Sequence, residues 1–227
     1  SVRATGGSSL AVNVIKGDGM KYLAVSDNND IFLYADDFRG SGEFATMDHW
    51  HKRNQVSCFV DQDNGTMTVD ALDRKDAIVE LDAFAGNAVL SADVDIKECT
   101  GGFWFILNHN VTNVYTKIGY NFQTGKFEAV NRNENSYVTT DTAEGELPIG
   151  KTVRMELKIQ ELKAGKQAVL YVDGRPVLTQ NPSYYHRGKL GFIADEAFVY
   201  LRSVSYRGDT KPALGVSETI QPGNNCC

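Results

Sequence analysis

Lys151–Gln160 reads KTVRMELKIQ. Its composition invites a helix, because Lys, Arg, Met, Glu, Leu and Gln are all good helix formers. The order of the residues decides otherwise. Val153, Met155, Leu157 and Ile159 alternate with Arg154, Glu156, Lys158 and Gln160. That is a period of two, the repeat of a strand with one dry face and one wet face, and not the roughly 3.6-residue period of a helix. The same rhythm runs outward along the chain. Leu90, Ala92, Val94 and Ile96 oppose Ser91, Asp93 and Asp95. Val114, Thr116, Ile118, Tyr120 and Phe122 share one face, leaving Tyr115, Lys117 and Asn121 on the other. Turn-forming clusters separate these runs: Gly17-Asp18-Gly19, Asp63-Asn64-Gly65, Thr124-Gly125 and the Asp173-Gly174 tip of YVDGRPVL. No long helix is indicated. Many short strands with turns between them predict an all-β fold, a two-sheet antiparallel β-sandwich.

The chain has 227 residues, enough for one large all-β domain. A net charge of -6 and the lack of any Lys/Arg run exclude a phosphate-tracking nucleic-acid binder. No apolar run reaches the ~18 residues of a helical membrane span. The sequons Asn64-Gly65-Thr66 and Asn110-Val111-Thr112 and an even count of four cysteines point to a secreted, extracellular or cell-surface glycoprotein. A start at Ser1 is compatible with a leader already removed. Four cysteines allow three pairings. Cys58 with Cys99, both in the body of the fold, is the expected disulfide. Closing that loop would contribute about 4 kcal/mol on the chain-entropy model. The alternative is two buried thiols. Cys226 and Cys227 sit on a C-terminal tail and could tether another chain.

Several blocks carry a resemblance. ADDFRGSGEFATMDHWHK (Ala35–Lys52), AVLSADVDIKECTGGFWFIL (Ala88–Leu107), KTVRMELKIQ, QAVLYVDGRPVL (Gln167–Leu178) and RGKLGFIADEAFVYLRSVSYRG (Arg187–Gly208) follow one another in this order. The series resembles the concanavalin A-like lectin/glucanase jelly rolls. That superfamily includes laminin-G-like modules, carbohydrate-binding modules, glucanases, polysaccharide lyases and 3-keto-disaccharide hydrolase-like domains. The resemblance implies a jelly-roll domain over residues 32–207. Residues 1–31 then form a strand-rich N-terminal extension, and 208–227 a tail. Fold alone selects no chemistry, so the sites are weighed one by one.

VELDAFAG (Val79–Gly86) resembles the Glu-x-Asp-x-(x)-Glu strand of laminarinase-type glucanases. A retaining enzyme needs two carboxyl groups about 5–5.5 Å apart, a nucleophile and an acid/base. Positions 84 and 85 are Phe and Ala, so Glu80 would be a nucleophile without a proton donor. The stretch reads as an ordinary acidic strand. YTKIGYNFQ (Tyr115–Gln123) resembles the Tyr-x-Lys-x-Gly-x-Tyr-x-Gln strand of jelly-roll alginate lyases. Asn121 stands where those enzymes carry the proton-transferring Tyr. A lyase here would have to work with His109, Tyr115 and Lys117.

A sugar-binding face is the third candidate. With Phe103, Phe105 and Leu107 toward the core, Trp104 and Asn108 face outward beside Tyr115, Lys117 and Asn121. Rings that stack on pyranoses, and amides and charges that bond hydroxyls, are the usual furniture of such sites. Loop clusters at His49-Trp50-His51 and Tyr184-Tyr185-His186 are placed to rim it. Asp36-Asp37 and Asp27–Asp30 offer oxygen ligands for a structural calcium, although turn aspartates commonly satisfy their own backbone. No other cofactor is indicated.

The expectation is a carbohydrate-binding domain for a polysaccharide or glycan, centred on Trp104, Asn108, Tyr115, Lys117 and Asn121. Two alternatives stand beside it. One is a lyase or hydrolase on the same face, using His109, Tyr115 and Lys117, or Glu80. The other is a structural or adhesive subunit that self-assembles through Leu10–Ser26 or the terminal cysteines.

Overall fold

Alternation becomes strands wherever it was read. The computed structural model describes residues 2–3, 9–16, 20–26, 31–40, 47, 49–163, 165–181 and 188–209; side chains are described from Leu33 onward, except those of 82–85 and 110. Every regular element among them is a β-strand. In chain order these are β1 (Val2–Arg3), β2 (Ser9–Lys16), β3 (Met20–Ser26), β4 (Ile31–Asp36), β5 (Trp50–Arg53), β6 (Ser57–Asp61), β7 (Thr66–Ala71) and β8 (Ala77–Ala85). There follow β9 (Asn87–Val111), β10 (Val114–Asn121), β11 (Lys126–Asn133), β12 (Ser136–Glu144), β13 (Thr152–Leu162), β14 (Gly165–Val172), β15 (Arg175–Gln180) and β16 (Gly188–Asp209). KTVRMELKIQ lies in β13, with Val153, Met155, Leu157 and Ile159 all buried. Tertiary burial of an alternating apolar row has overridden helix propensity.

Two long strands organise the molecule. β9 and β16 run antiparallel along most of their length, with register shifts at several points. The first half of β9 pairs with β13 and its second half with β10. One layer therefore reads β15-β14-β13-β9-β16-β4-β3-β2-β1, and the other β12-β11-β10-β9-β16-β8-β5. β7, with β6 beyond it, joins β16 between them at Ala197–Leu201. All pairings are antiparallel. The inner faces meet in one core: Leu90, Val94, Leu157 and Leu170 belong to the same buried cluster as Phe103, Phe105, Ile118 and Phe192. Phe192 stacks on Phe103 at 5.9 Å and on Trp50 at 6.1 Å between ring centroids. The outer face of the seven-stranded layer is left to carry the site.

The expected Cys58–Cys99 disulfide is absent, and both are free thiols. Cys58 lies on β6 and Cys99 on β9, with β7 and β16 between them. Three strand spacings of about 4.8 Å put them far beyond the ~4.4–6.8 Å span of a disulfide. Burial pushes both thiols up to about 12, which makes them slow nucleophiles.

Asp36 and Asp37 are committed to their own turn. Asp36 accepts from the Tyr34 hydroxyl (2.9 Å) and the Phe38 amide (2.8 Å), and Asp37 from the Arg39 amide (3.0 Å). Among the described residues no group of three His, Cys, Asp or Glu side chains could hold a metal ion. Asp27–Asp30, Tyr184–His186, Cys226 and Cys227 lie outside the described residues. No helix among the described residues is long and apolar enough to cross a membrane.

Candidate functional site

The outer face of the seven-stranded layer is built from the residues that alternate with the core. Ile78 on β8, Ile193 on β16, Trp104 and Ile106 on β9, Tyr115 on β10 and Val130 on β11 form a second apolar cluster there. A glycine makes the strands meet closely beneath it. Gly119 pairs with Trp104, and a Cβ at Gly119 would run into the Phe103 carbonyl and the Trp104 backbone.

Polar residues wall this patch. At one end Glu80 is fully buried, accepts from Arg53 Nε at 2.8 Å and is hydrogen-bonded to His109 Nδ1 at 2.5 Å. Burial alone would raise the Glu80 carboxyl, but the hydrogen bonds and charges of His109 and Arg53 outweigh it and hold the group below its ordinary value. The His109 ring meets Tyr115 edge-on at 5.6 Å. At the centre, Asp76 reaches over the sheet from the β7–β8 turn. Its carboxylate takes Lys117 Nζ at 3.1 Å and the Tyr137 hydroxyl at 2.9 Å, with Arg132 Nη1 at 3.7 Å. Arg132 also donates to the Tyr115 hydroxyl at 3.0 Å. Lys117 Nζ sits 4.5 Å from the Trp104 ring centroid, a cation–π arrangement. Burial first, and the Asp76 charge second, push the Tyr137 phenol up to about 12.

The structure corrects the expected face in two ways. Trp104, Tyr115 and Lys117 do lie opposite Phe103, Phe105 and Leu107, yet they are not open to solvent: only 2%, 2% and 7% of their surfaces are exposed. Asp76, Arg132 and Tyr137 lie over them. Asn108 does not face outward at all. It adopts φ 60, and the pairing of β9 with its neighbours shifts around it. The bulge swaps the alternation. Asn108 turns toward the opposite layer, where it accepts from Lys166 Nζ at 2.9 Å, and His109 takes the outer face beside Glu80. Asn121 is half-buried and turned to the β10–β11 hairpin, donating to Glu128 (3.0 Å) and accepting from the Gln123 amide (3.0 Å).

All four residues weighed for catalysis, Glu80, His109, Tyr115 and Lys117, are on this one face. Glu80 is enclosed and spent on its hydrogen bonds to Arg53 and His109, so it is not presented as a nucleophile. Sequence reasoning missed Arg53, Asp76, Arg132 and Tyr137. Alternation along KFEAVNRN would have put Arg132 on the face of Glu128 and Val130. Asp76 carried no comparable signal, since a turn carboxylate can point anywhere. A surface hollow of about 330 Å³ also opens between β9, β13 and β16, lined by Asn87, Val89, Lys158, Gln160, Arg207 and others. It contains no aromatic ring, and the polar–aromatic wall lies on the other layer.

No protein-family model matches the chain, and no curated protein matches it in sequence. Solved structures do match in shape. The carbohydrate-binding module CBM66 from Bacillus subtilis is 12% identical, with a TM-score of 0.60 over 70% of this chain and 94% of that one. A Bacillus subtilis protein of unknown function with a galectin-like fold is 11% identical, with a TM-score of 0.58 over 88% and 100%. Winged bean acidic lectin, solved with methyl-α-D-galactose, is 12% identical, with a TM-score of 0.55 over 79% and 98%. At these identities the likeness is one of fold. The chain has the fold of an antiparallel jelly-roll β-sandwich.

Proposed function

We propose that the protein is a carbohydrate-binding domain that meets its ligand on the outer face of the seven-stranded layer, above Tyr137. The observation that carries this reading is the state of that ring. Tyr137 is 47% exposed, yet its hydroxyl is fixed by Asp76 at 2.9 Å, and Arg132 and Lys117 lie 5.0 and 5.7 Å from its centroid. A half-exposed aromatic held in one orientation, with charged hydrogen-bonding groups beside it, suits stacking against the C–H face of a sugar ring. Little side-chain entropy remains to be lost when a ligand arrives. The fold it shares with a carbohydrate-binding module and a galactose-bound lectin supports the same reading. Binding of a polysaccharide or terminal sugar is expected in the millimolar-to-micromolar range.

Placement outside the cell rests on the two sequons, of which Asn64 is exposed on the β6–β7 turn. A loss of mass on N-glycosidase treatment of protein from its native source is the corresponding observation. The test of function is a glycan array followed by calorimetry on the best hit. Tyr137→Ala is expected to weaken that hit by at least tenfold. Undiminished binding by the variant refutes the face, and silence across the array refutes the function.

A further inference from the structure

Two polar atoms on this face have no protein partner among the described residues: the indole Nε1 of Trp104 and the carboxylate Oδ1 of Asp195. Both are closed off from solvent. A buried donor and a buried acceptor without partners carry a desolvation penalty, and native structures rarely leave such groups uncompensated. Here the two are neighbours. Asp195 pairs across the strands with Gly102. The Trp104 indole nitrogen rests against that same glycine, where a Cβ would collide with it. Lys117 covers the indole: its ammonium sits 4.5 Å from the Trp104 ring centroid, and its positive charge favours the ionised form of Asp195.

Resting on the carbohydrate-binding reading above, we infer that Trp104 Nε1 and Asp195 Oδ1 form a subsite for one hydroxyl group of a neutral sugar. A hydroxyl is the ligand group that satisfies both atoms at once, since it accepts from the indole N–H and donates its own hydrogen to the carboxylate. A uronate carboxylate or a sulfate offers no hydrogen to Asp195 and sets a negative charge against it. The nearby cations are already engaged, because Asp76 takes both Lys117 and Arg132. The site therefore selects neutral polyhydroxyl ligands over acidic polysaccharides. Entry requires the Lys117 ammonium, on its flexible four-carbon stem, to move off the indole.

The chain contains two tryptophans, which makes the test direct. Trp50 Nε1 already donates to the Tyr34 hydroxyl at 3.0 Å, so its indole resonance is an internal control. The full chain, labelled with ¹⁵N-tryptophan, is titrated with neutral glucan, galactan and fructan oligosaccharides and with oligouronates. Trp104→Phe assigns the two peaks. A neutral oligosaccharide is expected to move the Trp104 indole signal downfield and leave that of Trp50 in place. The oligouronates are expected to move neither. Trp104→Phe and Asp195→Asn are each expected to weaken neutral-sugar binding roughly tenfold; Asp195 is only partly buried, so its variant remains informative if the tryptophan variant does not fold. Sugar binding that depends on Tyr137 but leaves the Trp104 signal and the Asp195→Asn affinity unchanged overturns this subsite and spares the broader reading. Binding of oligouronates in preference to neutral sugars overturns the selectivity. Failure of every glycan to bind overturns both.

Discussion

Replacing Glu80 by Gln probes the electrostatics that hold the site together. Glu80 is completely enclosed and has two partners, His109 at 2.5 Å and Arg53 at 2.8 Å. Removing one member of a buried ion pair typically costs ~3–5 kcal/mol, because the remaining charge stays desolvated. The Arg53 side chain is 43% exposed, so water screens its share to ~0–1 kcal/mol. The His109 side chain is 5% exposed, so its buried hydrogen bond to the carboxylate carries most of the effect. An amide oxygen still accepts one hydrogen bond, which brings the expected loss to about 2–3 kcal/mol. For a chain of this size that lowers the thermal midpoint by roughly 4–12 °C. The pH dependence has a definite sign. The folded-state carboxyl lies below its ordinary value of 4.5, so the stabilisation is fully present above that value. It is lost as pH falls through the depressed folded value. Chemical denaturation of wild type and Glu80→Gln between neutral pH and the acid limit should show curves that are separated at neutral pH and converge in acid. Equal stability at neutral pH, or parallel curves throughout, would refute the argument, since either means that burial outweighs the partners.

Other consequences follow from single contacts. Gly119→Ala should destabilise the protein by about 2 kcal/mol or more, because its new methyl meets backbone on the neighbouring strand; urea unfolding measures this. Alkylation with mass-spectrometric mapping should find Cys58 and Cys99 as thiols that react slowly in the native protein and promptly in urea. A 58–99 cross-linked peptide would contradict the topology. Asp76→Asn should release Lys117 and Tyr137 together, lowering the Tyr137 phenol from about 12 toward the ordinary range, as read by ultraviolet titration against a Tyr137→Phe control.

Much of the fold was legible because sheet burial writes a period of two into the chain. Leu90, Val94, Val153, Leu157 and Ile118 alternate in the sequence and all reach the same core. What alternation could not reveal is a change of phase. At Asn108 one residue with φ 60 exchanges the faces of two neighbours, so that Asn108 leaves the site and His109 enters it. Asparagine tolerates that conformation, but a single Asn in a strand does not announce a bulge. Burial of Trp104 and Tyr115 was also beyond reach. Their cover comes from Asp76 in a distant turn and from Arg132 and Tyr137 on a later hairpin, and such meetings depend on strand order. Cys58 and Cys99 misled for the same reason: two strands from distant parts of the sequence, β7 and β16, had to be known to lie between them.

A crystal structure of the protein with the best-binding oligosaccharide shows which face of the sandwich holds the ligand. A sugar ring is expected against Tyr137, on the outer face of the β12-β11-β10-β9-β16-β8-β5 layer. A sugar seated instead in the hollow between β9, β13 and β16, with Tyr137 untouched, would contradict it.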